Sequence, residues 1–368
     1  MKRKEHVPLI DALRGLSCLG ILLYHVRVDL WIGWWRIRSY PEEYSTFDKT
    51  AAWLSVPSPF LGYAILLFFL ISGFCIHYPQ TIQRRPVWKH YFLRRFLRIY
   101  PPYLIAVGLT AIITYIAHTQ WGDNTWNLQR IWRVLTLTQN YPPDSGQLLS
   151  NPSLWTIPLE MEFYLLYPIA YICFSTVRSP ILWLISLALC GWSIWLSNKG
   201  VIWPSFTALF FWPVWLLGAW LAQTYRDDRL KRVPVWLIVA VAGISMAFAL
   251  TSKLQNWQPW LQYFLWTGFY LCLFGLTLQK SNALEKSRRI RLPLRFLSWL
   301  GKISFSVYLI HFPLFKLLGY LHQSFFGEKP ANFLIPLAYL LLVCVLGWLF
   351  YRTVERPVHL WSKKKVGK

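Results

Sequence analysis

Residues 10–26 of this 368-residue chain are IDALRGLSCLGILLYHV, an apolar run interrupted by an aspartate, an arginine and a histidine. A helix needs roughly 20 mainly apolar residues to cross a bilayer, because hydrocarbon offers its backbone no hydrogen-bond partners. The run therefore predicts a membrane span over Leu9–Val28. Because it lacks a small-residue cleavage site, we interpret it as a structural helix and not as a signal peptide.

The rest of the chain repeats this pattern. Apolar runs of similar length predict nine further spans, which makes the fold an all-α polytopic membrane helix bundle of about ten transmembrane helices. A shorter run, Leu128–Leu137, contains Arg130 and Arg133, so we predict that it lies at the membrane surface. The nine further spans are Phe60–His77, Pro102–His118, Leu154–Phe174, Ile181–Leu196, Phe206–Gln223, Val235–Leu250, Leu261–Leu278, Ile303–Leu321 and Asn332–Tyr351.

The composition excludes several other classes of protein. Hydrophobic residues make up 55% of the chain and charged residues only 14%, which excludes disorder and an ordinary cytosolic globule. Six cysteines lie inside the apolar runs without CxxC spacing, so neither a disulfide framework nor a zinc site is indicated. The net charge of +23 is spread between apolar runs, which argues against a nucleic-acid partner.

The basic residues also predict the orientation of the spans. With the N-terminus in the cytoplasm, the inner segments hold 27 Lys and Arg residues and the outer segments hold 8. Such an excess is the positive-inside pattern, and basic inner loops bind anionic lipid headgroups. We therefore predict that both termini are cytoplasmic and that membrane lipid is a partner.

The first span places ionisable groups where they are costly. Asp11, Arg14 and His25 share one helical stripe, and Arg14 and His25 are eleven residues, or roughly 16 Å, apart along the axis. Each intramembrane charge costs about 2.5–3.5 kcal/mol on insertion scales, which favours a functional role. The alternatives are a snorkelling Arg14 and an interhelical hydrogen bond from His25.

Two further spans carry polar groups. Glu160 and Glu162 begin the fourth span near Pro158, and their spacing makes them point in different directions, which argues against a carboxylate pair. In the ninth span, Tyr308 and His311 lie on one face; they are either ligands or packing residues.

Charged residues also flank the spans. Lys316, near the outer end of the ninth span, is predicted to snorkel. Arg94, Arg95 and Arg98 precede the third span and form either a positive-inside anchor or a polyphosphate site, since guanidinium forks suit phosphate oxygens. Near the C-terminus, Glu355-Arg356-Pro357 predicts a charged helix stop.

Six motifs in order along the chain carry a resemblance to a known family. They are IDALRGL with Tyr24-His25, FFLISGF with Ser72, RRFLRIYP with Arg95 and Arg98, SLWTIPLEMEFYLLYP with Trp155, Thr156, Glu160, Phe163 and Tyr164, SFSVYLIHFP with Tyr308 and His311, and VERP at the end. Together they resemble the membrane-bound acyltransferase-3 family, the O-acetyltransferases that modify bacterial surface sugars. Many members have a second acidic residue beside the position of Glu160, where Met161 stands here.

The resemblance implies an activity and a set of roles. An acyl-CoA, most often acetyl-CoA, would be the cytoplasmic co-substrate, with no bound cofactor or metal, and the acceptor would be a hydroxyl of an extracytoplasmic glycan or glycolipid. His25 would be the general base, with Glu160 and Arg14 at the catalytic centre. Arg95, Arg98 and Arg94 would bind acyl-CoA. Secondary candidates are Asp11, Tyr308, His311, Ser72, Trp155 and Glu162.

The resemblance also implies a location in the bacterial cytoplasmic (inner) membrane and one membrane-embedded acyltransferase domain over 1–368 with no appended soluble domain. The acceptor's identity, the length of the acyl group, an acyl-enzyme intermediate and the oligomeric state stay open. The alternative function is a secondary transporter that uses the buried His, Arg and Glu residues, although no inverted repeat is visible. A third interpretation, a non-catalytic scaffold, would not explain why Arg14 and His25 lie on one stripe of a membrane span.

Overall fold

The computed structural model describes residues 8–82, 86–142, 151–176 and 178–366. These ranges are helical and contain no β-strand. The helices are α1 (Pro8–Asp29), α2 (Trp34–Ser39), α3 (Thr46–Leu54), α4 (Ile65–Ile82), α5 (Trp88–Trp121), α6 (Leu128–Leu135), α7 (Thr156–Ser175), α8 (Ser179–Asn198), α9 (Ala208–Arg226), α10 (Val235–Leu254), α11 (Pro259–Gln279), α12 (Ser281–Lys286), α13 (Arg291–Phe326), α14 (Leu334–Phe350) and α15 (Arg356–Val366).

The predicted helical membrane bundle is confirmed. Among the described residues, ten helical segments are long and apolar enough to cross a bilayer, and each contains one of the ten predicted spans or most of it. The protein is therefore an integral membrane protein. The orientation of the spans, with both termini in the cytoplasm, stays a prediction.

Two spans belong to helices much longer than predicted. α5 has 34 residues and continues through Pro101 and Pro102, so the basic motif with Arg95 and Arg98 is helical. α13 has 36 residues and begins at Arg291 instead of Ile303. Neighbouring helices and local adjustments can satisfy the backbone groups that proline frees inside a membrane bundle, so the helix need not end there.

The surface helix predicted over Leu128–Leu137 is present as α6 but ends two residues earlier. Asn127 caps its N-terminus by accepting a hydrogen bond from the backbone of Arg130. Beyond the C-terminus, Leu137 has a φ of +59°, a left-handed conformation that a continuing α-helix cannot contain.

The predicted helix stop at Glu355-Arg356-Pro357 is wrong. The last span passes from α14 through a π turn, Tyr351–Glu355, directly into α15. Pro357 stands at the second position of α15, directly after the π turn, and local π adjustments can satisfy the backbone groups that proline frees in a membrane helix.

The chain divides into two compact units. The first unit comprises Met1–Cys18, Tyr63–Tyr91 and Glu162–Lys302, and the second comprises Leu19–Gly62, Phe92–Met161 and Ile303–Lys368. The prediction of one domain over the whole chain stays a prediction.

Glycines set the closest helix packing in the first unit. A Cβ on Gly73 of α4 would overlap the backbone oxygen of Trp215 in α9, and one on Gly218 would overlap the backbone oxygen of Leu70. Gly15 of α1 and Gly301 of α13 meet in the same way. Small residues that let two backbones touch are a common means of helix association in membranes.

The second unit contains a small module between the first two spans. Its α2 and α3 pack on a core formed by Trp31, Ile37 and Ala52. The Trp31 indole donates a hydrogen bond to the backbone oxygen of Ala331, which ties the module to the segment before α14. Ser45 and Asp48 form a capping box at the start of α3. The backbone N–H groups of both residues therefore have hydrogen-bond partners.

Candidate active site

His25 lies four residues before the end of α1, in the second unit. Its ring centroid is 5.0 Å from that of Tyr24, 5.2 Å from that of His311 and 5.0 Å from that of Phe312. The imidazole is therefore packed among protein side chains on α1 and α13, and it remains partly exposed. A ring in this position can exchange a proton with a molecule that enters from one side.

The neighbouring His311 is fully buried on α13, and its orientation is fixed at both nitrogens. Nδ1–H donates to the backbone oxygen of Tyr308 at 2.8 Å, an acceptor that cannot donate in return. Nε2 must then accept, and the hydroxyl of Ser153 lies 3.4 Å from it. The backbone thus selects the tautomer of His311.

The segment before α7 is held against α13 by a network of hydrogen bonds. The Tyr308 hydroxyl donates to the backbone oxygen of Ser153 at 2.6 Å and lies 2.7 Å from the Thr156 hydroxyl. Asn151 donates to the backbone oxygen of Leu309 at 2.8 Å. Ser153 and Asn151 were not among the predicted site residues, and the only available signal was the position of Ser153 at the start of the SLWT motif.

The network continues to Trp155. Asn140 donates to the backbone oxygen of Trp155 at 2.7 Å, and Gln139 donates to that of Leu154 at 3.2 Å. Glu160 follows one turn later in the second unit and is partly exposed, as a residue that contacts an entering substrate must be.

The predicted basic motif lies near the start of α5. Arg95 and Arg98 are partly buried, whereas Arg94 is exposed. His359 of α15 interacts electrostatically with Arg98, Lys363 and Arg95. Sequence reasoning missed His359 and Lys363, because nothing local indicates that α15 returns to α5. Four basic side chains in one place are suited to an anionic ligand.

Four predicted residues lie in the first unit, namely Asp11, Arg14, Ser72 and Glu162. Arg14 contacts the Asp11 carboxylate at 3.5 Å and donates a hydrogen bond to the Cys75 sulfur at 3.3 Å. Glu162 accepts a hydrogen bond from the backbone N–H of Ala208 at 2.6 Å, at the first residue of α9. A carboxylate at a helix N-terminus is stabilised by the helix dipole, which gives Glu162 a structural function.

Metal binding has no support in the part of the chain that the structure describes. There, no group of three or more His, Cys, Asp or Glu side chains is arranged to hold a metal ion.

The sequence of the chain matches one known protein family. A family model described as an acyltransferase domain, that of the acyltransferase-3 family, matches residues 7–352. The chain belongs to the acyltransferase-3 family.

Curated relatives of this family member are O-acetyltransferases. The chain is 24% identical to O-acetyltransferase OatA of Staphylococcus aureus strain NCTC 8325 / PS 47, over 97% of this chain and 58% of the relative. It is 22% identical to peptidoglycan O-acetyltransferase OatA of Listeria monocytogenes strain EGD-e, over 99% of this chain and 60% of the relative. The chain thus spans about three fifths of the length of these relatives, and no solved structure matches it.

Three of the six motifs noted in the sequence form hydrogen bonds between helices. Ser72 accepts a hydrogen bond from the Trp215 indole at 3.1 Å, directly beside the close crossing at Gly73. In the second unit, Ser306 donates to the buried carboxylate of Glu355 at 2.5 Å, which joins the two closing motifs, SFSVYLIHFP and VERP.

Proposed function

We propose that this protein is an O-acyltransferase that moves an acyl group, most often acetyl, from a cytoplasmic acyl-CoA to a hydroxyl of an extracytoplasmic glycan or glycolipid. Membership of the acyltransferase-3 family and the O-acetyltransferase relatives support this assignment. The proposal also locates the protein in the bacterial cytoplasmic membrane, because acyl-CoA must reach it from the cytoplasmic side of that membrane.

The pair of imidazoles formed by His25 and His311 is the main structural support for this proposal. A histidine in hydrocarbon is costly unless it has partners or a function. His311 is fully satisfied by Tyr308 and Ser153, whereas His25 has only ring contacts among the hydrogen bonds and contacts described for it. His25 is therefore the ring with nitrogens available to a substrate.

The reaction follows from this availability. A nitrogen of neutral His25 accepts the proton of the acceptor hydroxyl as its oxygen attacks the thioester carbonyl carbon. The new C–O ester bond forms, the C–S bond breaks, and coenzyme A leaves as a thiolate, which takes the proton back from the imidazolium. Imidazole is suited to both transfers because one ring nitrogen can accept a proton and later return it.

The donor would be held by the basic residues on α5 and α15. Arg95 and Arg98, with Lys363 and His359 near them, offer positive charge and N–H donors to the phosphates of acyl-CoA. The positive-inside pattern predicts that this end of α5 is cytoplasmic. Arg94 is more exposed and would contribute less. Arg14 stays a predicted contributor, and the proposal does not depend on it.

To polarise the acyl carbonyl, the hydroxyl of Tyr308 would have to donate a hydrogen bond to the substrate. Here that hydroxyl already donates to the backbone of Ser153. We therefore propose that Tyr308 and His311 position the segment with Ser153, while Glu160 binds the acceptor.

Purified protein incubated with acetyl-CoA labelled in the acetyl group tests the function. An acyltransferase consumes the thioester in the presence of a glycan acceptor and places the label in an alkali-labile ester. If the thioester stays intact while label or protons cross the membrane, the alternative of a secondary transporter is correct.

A further inference from the structure

The module of α2 and α3 contains a cleft that none of the candidate active-site residues lines. It has a volume of about 210 Å³ and is lined by Trp34, Ile37, Arg38, Pro41, Lys49, Ala52 and Trp53. Drug-sized ligands occupy pockets that begin at roughly 300 Å³, so this cleft fits a smaller group, such as one sugar ring. The predicted topology places it outside, on the side where α1 ends after His25.

The walls of the cleft combine aromatic faces with positive charge. The rings of Trp34 and Trp53 meet edge to face, with centroids 5.7 Å apart. Trp53 is nevertheless 64% exposed, so this large apolar surface lacks the cover that an indole in a folded protein ordinarily has. Flat aromatic faces stack on the C–H faces of sugar rings.

The two cations of the cleft have no acidic partner. Arg38 lies over the ring of Trp34, with its guanidinium carbon 4.8 Å from the ring centroid, and this stacking leaves its N–H edge available. Among the described residues, no ion pair involves Arg38 or Lys49, and no carboxylate lines the cleft. Arg36, two residues earlier, pairs instead with Glu43 at 3.4 Å and lies over Tyr40.

We propose that this cleft binds an acidic sugar residue of the acceptor glycan, with its ring on Trp34 and Trp53 and its carboxylate at Arg38 and Lys49. The inference rests on the proposed function, because it assigns a substrate class to that reaction. It makes the module a docking site for the acceptor chain, separate from the imidazoles that act on the hydroxyl. An anionic lipid headgroup is the competing occupant, but a concave cleft grips a ring better than a membrane surface.

Titration calorimetry on the full chain in zwitterionic nanodiscs tests the inference, with trigalacturonate as the acidic probe and maltotriose as the neutral one. Trigalacturonate should bind at least tenfold more tightly than maltotriose. Trp53→Ala and Arg38→Gln should each weaken trigalacturonate binding at least tenfold. The matched controls Trp132→Ala, at an exposed tryptophan of α6, and Arg36→Gln, whose side chains do not line the cleft, should change it less than twofold.

Other results would overturn the inference. Equal binding of the two sugars, or equal losses in the control variants, removes the acidic-sugar site. Loss of trigalacturonate binding in nanodiscs that contain anionic lipid assigns the cleft to a headgroup. Consumption of labelled acetyl-CoA by the same samples separates the two proposals: turnover without trigalacturonate binding defeats only the cleft, and binding without turnover defeats only the proposed reaction.

Discussion

The rings of His25 and His311 lie 5.2 Å apart, although 286 positions separate the two residues in the chain. One ring has only ring contacts and the other is hydrogen-bonded at both nitrogens. This asymmetry divides the pair into a group that meets substrate and a group that holds the surrounding backbone.

His25→Ala should lower acyl transfer by about 10²-fold or more, because removal of a general base costs 10²–10⁴-fold. Radiolabelled acetate transferred to glycan, normalised to the amount of protein in the membrane, measures it. His322→Asn is the matched control, since His322 contacts Tyr339 at the far end of α13. Near-normal transfer by His25→Ala would contradict the assignment of the base.

His311→Asn and Ser153→Ala should each lower transfer by about tenfold, which corresponds to one lost hydrogen bond of about 1.4 kcal/mol. Because both residues belong to one contact, the double variant should be little worse than either single variant. A double-mutant cycle on the transfer rate checks this. The pH profile of the transfer rate is measured as well, because a purely structural defect would leave that profile unshifted. Fully additive losses would mean that the two residues act independently.

Arg95→Gln and Arg98→Gln should raise the KM for acetyl-CoA about tenfold each with a smaller change in kcat, because a lost charge-assisted contact to phosphate weakens donor binding. Lys89→Gln is the control, since Lys89 is exposed on the first turn of the same helix. If the control raises KM equally, the arginines act as general membrane anchors.

Asp123→Asn should destabilise the protein at pH 7 by about 1.5–3 kcal/mol, the range for hydrogen bonds to a charged group. Burial alone would raise the pKa of Asp123, but hydrogen bonds from Lys316, Thr125 and Tyr320 outweigh it and hold the pKa well below its ordinary value. The carboxylate therefore stabilises the fold above its unfolded pKa, near 3.9, and loses this effect as the pH falls.

Thermal unfolding in detergent, measured between pH 7 and pH 3, checks this. The difference between wild type and Asp123→Asn should narrow only below about pH 4, near the unfolded pKa. A difference that stays constant down to pH 3, or that already narrows near pH 6, would contradict it.

Gly73→Ala should destabilise the first unit by about 1–3 kcal/mol, because its Cβ would overlap the backbone of α9 and force the helices apart. Gly108→Ala, on α5, meets nothing within 4 Å and should be neutral or slightly stabilising. The two melting temperatures provide the comparison, and equal values would show that the crossing at Gly73 can open without cost.

Local patterns in the sequence identify the spans well, because hydrocarbon selects long apolar helices regardless of what surrounds them. They also indicate His25 as a candidate site residue, since ionisable groups are rare inside apolar runs. The arginines of α5 stay a prediction, because basic residues beside spans are common. The contact of His25 with His311 was not predictable, because it depends on how distant helices pack. The ion pair between Lys316 and Asp123, at 2.5 Å, was not predictable for the same reason, and the prediction that Lys316 snorkels did not include it.

Local stop signals failed for the same reason. Pro101 and Pro102 would end a helix in water, yet α5 continues through them. The contacts of Ser153 and Asn151 could not be predicted, because serine and asparagine before a helix are ordinary turn residues. Only their partners on α13 distinguish these two residues.

The π turn between α14 and α15 fixes the phase of the final helix. In such a turn the hydrogen bonds reach five residues back, which accommodates one more residue than an α-helical turn. If the same five residues were wound as a regular α-helix, everything beyond them would be rotated by about 100°. His359 would then point away from Arg95 and Arg98, so the π turn, far from the imidazoles, is what keeps the C-terminal helix facing the basic residues of α5.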